Sequence, residues 1–210
     1  GGLAESGDGT RARGGVNTFG GNISVNKGIL KPSGNQALGA NGKTITIAVG
    51  ASLDTNGAMN ANRDYHAVIS GTGVGDFGAI VNSGVDHTNG FASLALAADA
   101  TIGGAFRWDV RPINAGEGLL DLADHTLTKI GFNKIAIVDS MVTANGTIEV
   151  DEGTLAFGRS TVSGSGSINV NPSAILQLES NTTGSFSKNI VLNSGTLQSL
   201  TGIQVPVDSS

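Results

Sequence analysis

Gly146-Thr147-Ile148-Glu149-Val150-Asp151-Glu152-Gly153-Thr154-Leu155 is the stretch that decides the fold. Ile148 and Val150 stand two apart, so on a strand they share one face while Glu149 takes the other. Asp151-Glu152-Gly153 then supplies residues that tolerate positive φ, and the chain can turn sharply. Leu155 resumes the apolar side, so the phrase reads as strand, tight turn, strand. It recurs as Gly21-Asn22-Ile23-Ser24-Val25-Asn26-Lys27-Gly28-Ile29-Leu30. Looser copies are Thr44-Ile45-Thr46-Ile47 running on to Leu53, Gly166-Ser167-Ile168-Asn169-Val170-Asn171, and Asn189-Ile190-Val191-Leu192 running on to Leu197. Ile23 precedes Ile45 by 22 residues, Ile148 precedes Ile168 by 20, and Ile168 precedes Ile190 by 22. A period of that length is one coil of a solenoid. The expectation is an all-β chain folded as a right-handed, single-stranded parallel β-helix of about eight to ten coils. The alternative is an antiparallel β-sandwich, which shares the short alternating strands and frequent turns. A sandwich has no reason to repeat one phrase at a fixed interval, whereas every coil of a solenoid must stack on its neighbour.

Composition agrees with that reading. Gly alone contributes 33 of 210 residues, charged side chains are 14% and aromatic ones 4%. Hydrophobic residues reach 39%, enough for a core made of aliphatic side chains. Low charge argues against a disordered chain, and no apolar run approaches the ~20 residues of a membrane helix. The net charge of −5, with basic residues scattered, disfavours nucleic acid as a partner. There is no Cys, which removes disulfides and thiolate metal sites. The chain opens Gly1-Gly2-Leu3 without Met, so a removed leader or a longer parent chain is expected. Residues 1–14 are polar and Gly-rich and are expected to be a flexible segment. Residues 15–210 would then form one β-helix domain, with loop excursions in about 58–145. Of these, 71–78 and 83–90 are the most evident.

That middle region carries the distinctive side chains. Arg63-Asp64-Tyr65-His66 is the densest polar and aromatic cluster, and a loop placement would suit sugar contact. In Arg107-Trp108-Asp109-Val110-Arg111 the charges share one face and Trp108 shares the other with Val110. Trp108 could serve as a stacking platform; the competing reading turns it into the core and leaves the charges as a solvated ladder. The candidate glycan contacts are therefore Arg63, Tyr65, His66 and Trp108. Asp121 and Asp124 read as a strand position and a turn, and Asp151-Glu152 fills a turn slot, so no catalytic pair is assigned. His66, His87 and His125 lack metal-ligand spacing, and Gly71-Thr72-Gly73-Val74-Gly75 lacks the helix of a phosphate loop. No cofactor or metal is expected.

Asn17-Thr18-Phe19-Gly20-Gly21-Asn22-Ile23-Ser24-Val25-Asn26-Lys27-Gly28-Ile29-Leu30, followed by Gln36-Ala37-Leu38-Gly39, resembles the autotransporter-associated β-strand repeat. Phe19 fills that family's aromatic place, while Asn22 and Ile29 replace its usual Thr residues. The resemblance implies a secreted or surface-exposed bacterial passenger β-helix, acting as an adhesin, a spacer or, more rarely, an enzyme. The repeat carries no catalytic residue to transfer. Its implied partners are neighbouring repeats or other copies through open solenoid ends, and surface polysaccharide or a host or abiotic surface. The segment 197–207, with Pro206, could cover the C-terminal end.

Overall fold

The structure is a computed structural model and describes residues 1–59, 64–115, 117–143, 145–179 and 186–200. Every strand pairing among them is parallel, which excludes the antiparallel sandwich. The chain winds into a β-solenoid of about 8 turns. Among the described residues the one helical element is the 3-10 turn Val74–Asp76.

Three ladders make three faces, and each is defined by a column of register partners that point inward except at the ends, where Arg11 and Leu192 are exposed. On the first, Leu3, Ile23, Ile45, Ala67, Leu94, Leu120, Val142 and Val162 lie in register from coil to coil. On the second, Arg11, Leu30, Leu53, Ile80, Ile102, Lys129, Val150, Val170 and Leu192 form the column. On the third, Trp108 is followed by Ile135, Leu155, Leu176 and Leu197. From Leu30 to Leu176 these positions are fully or almost fully buried, so the aliphatic stacks form the core. The third ladder begins only with Trp108–Val110. Below it, large single side chains such as Tyr65 and Phe91 fill the interior.

The repeated phrase does not mark one corner of the solenoid. Ile23–Val25 lies on the first face and Leu30 on the second, with Asn26-Lys27-Gly28 at the corner between them. Ile148–Val150 lies on the second face and Leu155 on the third, with Asp151-Glu152-Gly153 at the next corner. The phase changes along Ser93–Ile102, which continues from the first face onto the second as one ten-residue strand. Both corners demand the same glycine. Gly28 has φ 66° and Gly153 has φ 62°. A Cβ on Gly153 would lie 2.6 Å from the Asn133 carbonyl oxygen and 2.7 Å from Lys129 Nζ, so the coils can close only without one.

Residues 1–14, expected to be flexible, carry Leu3–Glu5 and Thr10–Arg13, paired to Ile23–Val25 and Gly28–Pro32. Their polar, Gly-rich stretch is the first coil's corner, against which Gly28 packs. At the other end Thr196–Ser199 is a strand of the third ladder rather than a cover, and 201–207 lies outside the described residues.

Candidate functional site

Of the four candidate glycan contacts, Arg63 lies outside the described residues. Tyr65 is 1% exposed, and its hydroxyl donates to the Gly39 carbonyl at 3.2 Å. Trp108 is 0% exposed; its Nε1–H donates to the Gly103 carbonyl at 3.0 Å, and its ring meets Phe91 edge-on at 5.9 Å. A ring with no solvent-facing surface cannot stack on a sugar, so Trp108 and Tyr65 act in the core. Alternation places Trp108 inward because Val110 and the column above it are apolar. His66 is half-buried, and its Nδ1 lies 2.8 Å from Ser93 Oγ on the next coil. The structure does not bring Tyr65, His66 and Trp108 to one surface.

The charges beside Trp108 are not a solvated ladder either. Asp109 is 0% exposed and accepts from Arg107 Nε and a second Arg107 nitrogen, both at 2.9 Å, and from Arg111 at 2.8 Å. Arg111 reaches on to the Thr88 carbonyl at 3.1 Å, fastening the 82–92 excursion to the third face. The carboxylate holds the Arg107 guanidinium above its ordinary pKa. His87 packs into the same loop, and burial keeps its pKa below the usual imidazole value despite the pull of Asp109. A buried carboxylate with three charge-assisted hydrogen bonds is a structural clamp. Asp109→Asn keeps its shape but turns an amide N–H₂ toward guanidinium donors. It should lose about 3 kcal/mol, read as a lowered urea midpoint with unchanged circular dichroism before the transition.

An open groove lies at the corner between the second and third faces. Four successive coils line a groove of about 490 Å³ there: Val81, Asn82 and Ser83; then Gly104 and Ala105; then Ile130 and Gly131; then Glu152. Asp76 and Phe77, from the 71–78 excursion, form another wall. Phe77 is 73% exposed, and Phe132, next to Gly131, is 90% exposed. Phe106, next to Ala105, is also exposed. Glu152 accepts from the Gly131 N–H at 2.8 Å, and Asp76 accepts from the Thr72 hydroxyl. Each carboxylate therefore keeps one oxygen for a ligand.

Lys129 supports this corner from inside. Its side chain stands in the second aliphatic column, 0% exposed, between Ile102 and Val150. Its Nζ donates to the Asn133 carbonyl at 2.7 Å, Asn133 Oδ1 at 3.1 Å, the Glu152 carbonyl at 2.8 Å and the Gly131 carbonyl. One cation thus ties the turn carrying Phe132 to the turn carrying Glu152. Burial pulls its pKa down from 10.5 to about 7, with the Glu152 carboxylate opposing the shift.

Sequence reasoning set Glu152 aside as a turn residue and overlooked Phe77, Phe132 and Lys129. The available signal was an aromatic beside Gly, at Phe77-Gly78 and Gly131-Phe132, in turn slots that other coils fill with polar residues. Asp121 accepts from its neighbour Ala123 N–H, and Ala123 and Asp124 take positive φ, the geometry of a turn. No group of three His, Cys, Asp or Glu residues among the described ones could hold a metal. No described helix is long and apolar enough to cross a membrane.

Comparison with known proteins gives one curated relative. The chain is 42% identical over 80 residues, 36% of its length, to a protein of Brucella suis biovar 1 (strain 1330) named Adhesin BmaC autotransporter. That match spans 2% of the length of the relative, so the chain corresponds to a small portion of it. No family model matches the chain, and no solved structure matches it. The relative's name and the β-solenoid agree with the passenger-type architecture that the sequence resemblance implies.

Proposed function

We propose that this chain is a non-enzymatic structural and adhesive module of a large bacterial surface or secreted protein, working outside the cell. The observation that carries the reading is a parallel stack that displays an exposed Phe77 in the wall of a corner groove and exposed Phe106 and Phe132 in turns next to residues that line it. A solenoid whose coils each contact only their neighbours makes a stiff spacer. An apolar groove rimmed by polar residues, as at Val81, Ala105, Ile130 and Phe77, is the kind of surface that takes a partner. The adhesin-named relative supports the same reading, and its far greater length fits a chain in which this stack is one stretch. Leu3–Glu5 and Asn189–Leu192 each pair on one side only among the described residues, so further coils or other copies can continue the stack at either end.

The test is adherence. Beads coated with the full chain should be retained on polysaccharide-coated or cell surfaces several-fold over beads coated with an inert protein. Retention should fall for a Phe77→Ala/Phe132→Ala variant that keeps its β circular dichroism. Retention at the inert level on every surface would leave the spacer role and remove the adhesive one.

A further inference from the structure

We infer that the corner groove binds a linear glycan carrying free amino groups, a hexosamine polymer, through Phe77, Asp76 and Glu152, with the exposed Phe132 one residue beyond the lining residue Gly131. This rests on the adhesive reading above and supplies its ligand class. Three properties of the groove point there.

Its charge has one sign. Asp76 and Glu152 are the ionisable residues in the lining, and no basic side chain joins them. Sulfated, phosphorylated or uronic-acid polymers would meet two surface carboxylates, with Lys129 buried beneath Glu152 and committed to carbonyl oxygens, on a chain of net charge −5. An ammonium group meets the opposite situation, and an aromatic face nearby adds cation–π attraction.

Its surface is apolar between those charges. Val81, Ala105, Ile130 and the Phe77 ring contribute carbon, and Gly104 and Gly131 present backbone without side chains. A pyranose has the matching character, with axial C–H bonds forming a flat apolar face and hydroxyls around the rim. A ring laid on Phe77 or Phe132 buries that face and leaves its hydroxyls to water and backbone groups.

Its shape is a track rather than a hole. The lining comes from four consecutive coils, and coils of a parallel sheet rise about 4.8 Å each, giving a run of roughly 15 Å along the axis. Asp76 belongs to the fourth coil and Glu152 to the seventh, so two charges can be met by separate sugars of one chain. An extended peptide could also bring spaced ammonium groups, but peptides gain affinity by adding a strand to an unpaired edge. Here the backbone is already paired between coils: Gly103 N–H donates to Ile80, Ala105 to Asn82, Ile130 to Ile102 and Asp151 to Lys129. The groove therefore offers side-chain chemistry and ring stacking, which a sugar chain uses.

The experiment is calorimetric titration of the full chain with a glucosamine tetramer at mildly acid pH, where its amines are charged. Parallel titrations use the N-acetylated tetramer, the neutral glucose tetramer and a lysine tetrapeptide. Binding is expected for the glucosamine tetramer, at least tenfold tighter than for the other three. Asp76→Asn and Glu152→Gln should each weaken it about tenfold, and Phe77→Ala by a similar factor. Each variant is scored only with wild-type circular dichroism; Phe77 and Asp76 sit in an exposed excursion, so their replacement leaves the coils intact. The inference is overturned by no binding of the glucosamine tetramer, by equal binding of the acetylated or neutral sugar, or by equal binding of the lysine peptide. It also fails if the acidic variants bind as the wild type does. Coated beads that adhere while the tetramer does not bind would remove this ligand and leave adhesion standing; loss of both would remove both.

Discussion

Trp108→Ala is expected to destabilise the protein by about 4 kcal/mol, the cost of emptying a large aromatic site in a core that cannot collapse onto it. Trp108 starts the third ladder, with Ile135, Leu155 and Leu176 stacked beyond it and Phe91 edge-on beside it. Backbone ladders hold all these neighbours in register, so none can move in to fill the space. For a chain of 210 residues the loss corresponds to a melting temperature about 10 °C lower. Trp108→Phe should cost less, about 1–2 kcal/mol. It keeps an apolar ring and forfeits the Nε1–H donor, while the Gly103 carbonyl retains the Asn133 side-chain amide as a donor. The two variants separate packing from hydrogen bonding, and both readouts come from urea denaturation followed by circular dichroism. Because Trp108 is the single tryptophan, its emission reports the same site in the wild type. A buried, blue-shifted maximum that moves red in one step with the backbone signal would show the middle coils melting with the rest. A red shift that precedes the loss of circular dichroism would show the coils around Trp108 opening first, as a stack held by nearest-neighbour contacts allows. A Trp108→Ala variant as stable as the wild type would contradict the packing described here.

Why this much of the fold was legible is a matter of what parallel coils require. Ile148 had to be apolar to stack between Leu127 and Ile168, Val150, two residues on, to stack on Val170, and Gly153 had to lack a Cβ to pass the coil beneath. Those demands repeat every coil, so they appear as a phrase. Which corner the phrase marks was not legible, because any face–corner–face passage imposes the same pattern. Gly28 and Gly153 serve different corners with one geometry. The site was less legible still. Alternation grouped Arg107, Asp109 and Arg111 correctly, yet it reports direction and says nothing of neutralisation. Two guanidinium groups around one carboxylate allow that carboxylate to be buried. Phe77 and Phe132 were overlooked because the groove joins segments of four coils that span over seventy residues in sequence. Lys129 drew no notice in the sequence because a lysine gives no apolar signal, although it occupies the column position held by Val150 in the next coil.

Lys129→Met tests that position, and the expected loss is about 3 kcal/mol near neutral pH. Methionine fits a column between Ile102 and Val150 and adds apolar contact, so the loss cannot come from packing. It comes from oxygens. The carbonyls of Gly131, Asn133 and Glu152 and the Asn133 amide oxygen all converge on Nζ, and a thioether donates to none of them. The Asn133 carbonyl keeps the Thr154 N–H, but the other oxygens lose the Nζ donor, and leaving acceptors unpaired costs more than the hydrogen bonds contribute when formed. The pH dependence distinguishes this from a simple packing defect. Lys129 has a folded pKa of about 7 against 10.5 when unfolded. Between those values the unfolded chain binds more protons than the folded one, so this group makes stability climb as pH rises. Below about pH 7 both states hold the proton and the slope from Lys129 vanishes. Lys188, lowered to about 8 by burial, adds a slope of the same sign, so the informative quantity is the difference between wild type and variant. That difference should widen from pH 7 toward pH 10, since the methionine chain has no proton to shed at this site. A constant difference across the range would mean that Lys129 acts as an ordinary spacer. A widening one would show that a buried amine, set into an aliphatic column, holds together the two turns that carry Phe132 and Glu152.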